Sequence, residues 1–451
     1  MANLENKMAG NSINAASPSL FAKATELKSR LLFVLGALIV YRIGTYIPLP
    51  GVNTEALNIG KEGGLLAMFN MFSGGALGRM TVFSLNVFPY ITASIIMNLL
   101  TVVLPSMESL KKQGEIGRRI INQNTRYLAI FIAALQGLAV ALLLERMPGV
   151  VAEPSFLFRV VIIATIVGGV MFLVWLGDQI NSRGIGNGMS IIIASGIVAQ
   201  LPQHMYQLFE SGRSGALETS MLLAIVGSLV AMLLLIVFVE RAFRKVLIQY
   251  PKRQVSANRM TGGETTHMPL KINMAGVIPA IFGSALLGFP ITLAGLAGES
   301  DSAFLQWINL HLSHGKPMFI AAYAFLIVFF CFFYTSVQFS PAETAENLKK
   351  QGGFVPGVRP GEKTAEFFDY VLTRLTVIGA IYLTLVCVVP EVFVGKYQIP
   401  MPITGTGLLI LVNVVIDTVQ QVQTHLISHQ YEALINKNNQ RMSKQSKRRR
   451  R

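Results

Sequence analysis

The sequence predicts an all-α polytopic membrane protein with ten transmembrane helices. Three observations predict it. Ten apolar runs each approach the roughly 20 residues needed to cross a bilayer. The chain is 52% hydrophobic and only 14% charged, against roughly 25% charged in a soluble domain. The loops between the runs alternate between rich and poor in lysine and arginine, the pattern that sets membrane orientation.

In order, the runs are Leu27–Tyr46, Val82–Leu104, Tyr127–Leu144, Phe156–Leu176, Ser190–Leu208, Thr219–Val239, Ile272–Leu296, Pro317–Phe339, Leu372–Pro390 and Thr404–Ile427. Helix is predicted for each, because a helix satisfies its own backbone polar groups in hydrocarbon. A membrane barrel would need strands of about ten residues with alternating polarity, and these runs are longer and uniformly apolar. No cleavable signal pattern follows the first run, so it is expected to remain as a span.

The basic residues orient the chain. Lys7, Lys23, Lys28 and Arg30 precede the first run, and Lys111, Lys112, Arg118, Arg119 and Arg126 follow the second. Arg183 follows the fourth. Arg241, Arg244, Lys245, Lys252, Arg253, Arg259 and Lys271 follow the sixth, and Lys349, Lys350, Arg359 and Lys363 follow the eighth. The tail adds Lys437, Arg441, Lys444, Lys447 and Arg448–Arg451. The opposite side has only Lys61, Arg79, Arg146, Arg213, Lys316 and Lys396. Both termini are therefore expected in the cytoplasm. This rule accounts for much of the net charge of +15 without a nucleic-acid partner.

The expected organisation follows. Residues 1–26 form a cytoplasmic N-terminal segment, and 27–209 a first five-helix half. Residues 210–427 form a second half with long cytoplasmic loops at 240–271 and 340–371, and 428–451 a basic tail. An odd number of spans per half inverts one half relative to the other, the arithmetic of an inverted repeat; sequence similarity between the halves is weak. Both long loops carry helix-length polar stretches and turn signals.

One segment breaks the pattern. Gly63–Gly78 (GGLLAMFNMFSGGALG) is apolar, too short to span, and lies on the external side before the second run. Gly74-Gly75 reads as a hinge or helix break. A short apolar helix there must fold back into a cavity or seam. It is either a fixed re-entrant helix or a movable stopper.

Enzyme chemistry is not visible. There is no Gly-x4-Gly-Lys-[Ser/Thr] loop and no His-Glu-x-x-His. Gly184-Ile185-Gly186-Asn187-Gly188 follows a span rather than a strand, which favours a turn over a nucleotide cradle. His425 and His429 share a helix face but lack a third ligand; interaction with a helix C-terminus, or solvation, is the simpler account. Cys331 and Cys387 read as small apolar residues within spans. No enzyme activity, cofactor or metal is expected. Asp417 is the clearest ionisable group within a span. It is read as a cap or interhelical group, against the rival reading of an ion-coupled secondary transporter of a small solute. Arg42, near the external end of the first span, is expected to snorkel. Thr92, Asn98, Thr101, Gln136 and Asn273 would bond between helices, or form a separable polar latch where they meet at a seam.

Six blocks carry a family resemblance: Phe69-Asn70-Met71-Phe72-Ser73-Gly74-Gly75, the run Pro89 to Ile96 (PYITASII), Arg183 to Gly188 (RGIGNG), Asn273 to Phe282 (NMAGVIPAIF), Glu343-Thr344-Ala345 with Asn347 to Lys350, and Phe354 to Gly361 (FVPGVRPG). Over residues 25–435 the chain resembles the SecY family of bacterial protein-conducting channels. The resemblance implies two inverted five-helix halves forming a clamshell around a central pore. It implies a passive pore for unfolded secretory preproteins, driven by the SecA motor ATPase or the translating ribosome, with SecE and SecG as small membrane partners. It places the chain in the bacterial inner membrane.

Residue by residue, the pore ring would be Val87, Ile91, Met189, Ile193, Ile281 and Ile410. Val87 and Met189 stand where isoleucine is common in the family. The plug would be the 63–78 segment, with Leu65, Leu66, Met68, Phe69, Met71, Phe72, Gly74 and Gly75. The second and seventh spans would form a lateral gate that reads signal sequences, biased by Thr92, Gln136 and Asn273. Partners would dock on Arg241, Arg244, Lys252, Arg253, Lys349, Lys350 and Arg359. Arg448–Arg451 has no family counterpart, and anionic lipid is its expected partner.

Overall fold

The computed structural model describes residues 25–53, 70, 73–147, 149–151, 154–215, 218–251, 253–256, 259–261, 265–297, 311–312, 316–397 and 404–449. Each of the ten predicted runs holds one long helix. They are α1 (Thr25–Gly44), α2 (Phe88–Val103), α4 (Glu115–Arg146), α5 (Phe156–Arg183), α6 (Gly188–Arg213), α7 (Thr219–Glu240), α8 (Ile278–Ala297), α9 (Pro317–Gln338), α11 (Glu362–Tyr397) and α12 (Gly405–Arg449). Two short helices, α3 (Pro105–Lys112) and α10 (Pro341–Lys350), lie between them. Six of the described helices are long and apolar enough to cross a membrane by length and composition, or seven with α2 and α3 taken as one span bent by 98°. The protein is a multi-pass membrane protein.

Two predicted spans start later than expected. Residues 82–87 are turns, and α2 begins at Phe88. Asn86, at φ 49°, accepts the Val87 amide on its own side chain at 2.9 Å, and Pro89 then supplies a helical φ. Residues 272–277 are also non-helical, and α8 begins at Ile278.

The Gly184–Gly188 motif is a tight turn from α5 to α6. Asn187 is the N-cap of α6, its side chain accepting from the Met189 and Ser190 amides at 3.2 and 3.5 Å. That satisfies donors the first helical turn leaves open.

The loop at 240–271 is a correction. It is not helical but a β-hairpin: β1 (Phe243–Gln249) pairs antiparallel with β4 (Thr265–Lys271), Phe243 opposite Lys271 and Gln249 opposite Thr265. A smaller pair, β2 (Arg253–Ser256) with β3 (Arg259–Thr261), lies between them in sequence. Val246 and Ile248 alternate inward, the period-two signature of a half-buried strand. The loop at 340–371 does hold a polar helix, α10, with Ser340 as N-cap. Gln249 and Phe354 exchange backbone hydrogen bonds at 2.9 and 3.0 Å. Val246, Ile248, Leu270, Leu348, Val355 and Phe368 bury together. The two long loops are thus one body.

Three apolar clusters organise the membrane part. One joins Ala133, Ala141 and Leu144 of α4 with Ile162, Ile166 and Val170 of α5. Another joins α7, α9, α11 and α12 through Ile236, Ile327, Leu383 and Leu409. The third lies at the centre and holds the candidate site.

Candidate functional site

The central cluster brings together what the sequence scatters. Val87, Ile193 and Ile410 are buried in it, and Ile91, Met189 and Ile281 pack against it. They come from the start of α2, from α6, α8 and α12, so helices of both halves converge on one apolar point. Aliphatic side chains offer no hydrogen bonds or charges, and a narrow apolar constriction excludes ions by dewetting. Met189 departs from the rest. Its sulfur would lie only 2.7 Å from a Cβ on Gly177, so it fills the notch that this glycine leaves in α5.

At one end of this cluster the chain closes over it. Ala76, fully buried, belongs to it. Among the residues expected to form a plug, Gly74 and Gly75 are described; Leu65, Leu66, Met68, Phe69, Met71 and Phe72 lie outside the described residues. Residues 73–80 are turns rather than helix. Gly74 and Gly75 have φ of 67° and 84°, angles that disfavour any side chain. A Cβ on Gly74 would also stand 3.1 Å from the Gly196 Cα of α6.

Polar groups that sequence reasoning missed hold this turn. The Arg42 and Arg79 guanidiniums each donate to the Gly74 carbonyl at 3.0 Å. The Tyr41 hydroxyl donates to the Ser73 carbonyl at 3.2 Å. Asn70 accepts the Gly78 amide at 2.7 Å. Arg42 does not simply snorkel; it folds back onto the turn and also donates to the Tyr46 hydroxyl at 3.0 Å. The one signal available was two arginines near the same membrane face with no acid beside them in sequence.

The α2–α8 seam is apolar where the helices meet. Ile95 of α2 and Phe282 of α8 bury together with Phe330 of the neighbouring α9, and Ile91, Leu99 and Ile278 pack against them. The Phe282 and Phe330 rings are 5.4 Å apart, edge to face at 84°, a favoured aromatic geometry. Thr92 and Gln136 are half-buried on α2 and α4, and the buried Gln136 Oε1 has no hydrogen-bond partner. Thr101 donates to the Asn98 carbonyl of its own helix at 2.7 Å. Asn273 is not in the apolar contact. It precedes α8, and its Nδ2 donates to Glu240 Oε1 at 2.7 Å. Asn273, expected among the polar residues of a gate, thus bonds to the end of α7 at the root of α8, and Glu240 is a strong acceptor for it.

The body formed by the two long loops displays basic residues. Arg241, Arg244, Lys349, Lys350 and Arg359 are exposed, and Lys350 pairs with Glu346 at 2.9 Å. Arg359 stands on a loop shaped by Gly352, Gly357 and Gly361, all at positive φ. The Arg253 backbone lies on β2; Lys252 lies outside the described residues.

Asp417 is exposed on α12, beside Gln420, Gln421, Thr424 and His425. α12 runs on to Arg449, so His425 lies within the helix rather than at its end; the His429 side chain lies outside the described residues. Among the described residues no three His, Cys, Asp or Glu side chains come together.

The family model described as SecY matches residues 81–419. The protein translocase subunit SecY of Rickettsia typhi is 49% identical over 421 residues, covering 92% of this chain and 97% of the relative. That of Escherichia coli K12 is also 49% identical over 421 residues, covering 92% and 95%. Among solved structures, a protein-conducting channel superposes with TM-score 0.64 at 18% identity, covering 89% of this chain and 93% of the other. Sec61 in the canine ribosome–channel complex of the endoplasmic reticulum gives 0.62 at 18%, covering 89% and 93%. At that identity the likeness is one of fold.

Proposed function

The chain belongs to the SecY family, and from that membership we propose that it is the channel-forming subunit of a protein translocase, a passive conduit and not an enzyme. The observation that carries the reading is the convergence of Val87, Ile91, Met189, Ile193, Ile281 and Ile410 from four helices on one apolar cluster. A pore that must pass every side chain and hold none needs such a waist. It must also stay shut to ions, since each charge crossing 100 mV releases about 2.3 kcal/mol. Ala76 and its clamped turn form the external cover, continuous with the plug.

The α2–α8 seam is the lateral gate. A signal sequence or membrane segment gains about 0.8 kcal/mol per CH2 moved into lipid, so an apolar seam that parts lets greasy segments leave while polar ones go through. The driving force comes from outside. The single cytoplasmic body with Arg359 at its tip suits acidic protein surfaces and RNA phosphate, which fits SecA and the translating ribosome. SecE and SecG are the small membrane partners in this reading. The membrane is the bacterial inner membrane, with both termini cytoplasmic and the 428–451 tail near anionic lipid. The solute-transporter reading falls with the family assignment.

The test is cross-linking of a stalled secretory precursor in reconstituted membranes. Adducts are expected at Ile91, Ile193, Ile281 and Ile410. Adducts confined to the lipid-facing perimeter would overturn the conduit.

A further inference from the structure

We propose that Glu240 is a positioning residue that fixes the root of the gate helix α8 through Asn273. The proposal rests on reading the α2–α8 seam as the gate.

Glu240 ends α7 and is only 6% exposed. Taking a carboxylate out of water costs several kcal/mol, so simple packing does not call for one here. What it gains is Asn273, which is 3% exposed and donates to it at 2.7 Å. The same amide nitrogen donates to the Gly276 carbonyl at 3.1 Å. Gly276, at φ 63°, is where the chain bends into α8. Tyr382 of α11 adds a longer hydrogen bond to Glu240 at 3.5 Å. α11 passes close beneath: a Cβ on Gly379 would be 3.2 Å from the Ile272 carbonyl.

The root therefore sits between α7 and α11. One side of it continues from β4, part of the cytoplasmic body. The other continues to Ile278 and Phe282 of the seam and Ile281 of the waist. A movement of the hairpin reaches α8 along the chain only through this anchored bend, so Glu240 sets where the seam residues stand when the body moves.

The experiment uses the full translocase complex with Cys331→Ala and Cys387→Ala, carrying Ile95→Cys and Phe282→Cys across the seam. Disulfide yield under mild oxidation reads gate closure. Glu240→Gln, which keeps an acceptor for Asn273, should match the parent. Glu240→Ala and Asn273→Ala should each lower the yield several-fold, and together no further than either alone, as expected for partners in one interaction. Asn273→Ala carries the test if Glu240→Ala fails to accumulate. Alanine variants that close like the parent would overturn the proposal while leaving the gate reading intact. A parent channel that still releases hydrophobic segments after oxidation would overturn the gate reading, and this proposal with it.

Discussion

Leu409 and Ile410 are neighbours on α12, yet they serve different clusters. Leu409 is fully buried in the cluster that joins α7, α9, α11 and α12, with Ile327, Leu383 and Val386. Ile410 faces the waist, with Val87 and Ile193. Both surroundings are apolar, but they are built differently. The flanking core is closed, and Thr335 beside it is tied to the Cys331 carbonyl of its own helix at 2.8 Å. Waist residues come from both halves, and Ile91, Met189 and Ile281 are only half-buried. The first packing resists separation; the second is a meeting of surfaces that can part. One helix thus carries a structural face and a working face a single residue apart.

Substitutions along α12 test that contrast. Gly405→Val should have the largest effect. Its Cβ would overlap the Val386 carbonyl of α11, and backbone cannot move aside as a side chain can. The expected outcome is loss of folded protein from the membrane, read by immunoblot. Leu409→Ala should cost about 2–5 kcal/mol, as for a filled core site, read as a lower melting temperature in detergent with ion leak unchanged. Ile410→Ser should cost less, about 1–2 kcal/mol, yet raise ion flux through reconstituted vesicles several-fold, because a hydroxyl wets the constriction. If Leu409→Ala leaks and Ile410→Ser does not, the two faces have been assigned the wrong way round.

The spans were legible because an apolar run of bilayer length leaves few alternatives to helix. The ring was legible only through family resemblance; nothing in the spacing of Val87 and Ile410 places them together. The hairpin was missed although Val246 and Ile248 alternate with exposed neighbours, because its polar length was read as helical. The Asn273–Glu240 bond was not legible, because the two lie 33 residues apart and a side-chain pair at that separation leaves no local trace. The Arg42 and Arg79 clamp was invisible for a different reason. Its acceptor is a peptide carbonyl, which every residue possesses.

The turn is held both from outside and from within. Arg42, Arg79 and Tyr41 grip the carbonyls of Ser73 and Gly74, not their side chains. Inside the turn, side chains matter again: the buried Ser73 hydroxyl accepts the Leu77 amide at 3.2 Å and Asn70 accepts the Gly78 amide at 2.7 Å. A substitution in this stretch therefore leaves the outer grip in place unless it falls on a glycine, on Ser73 or on Asn70.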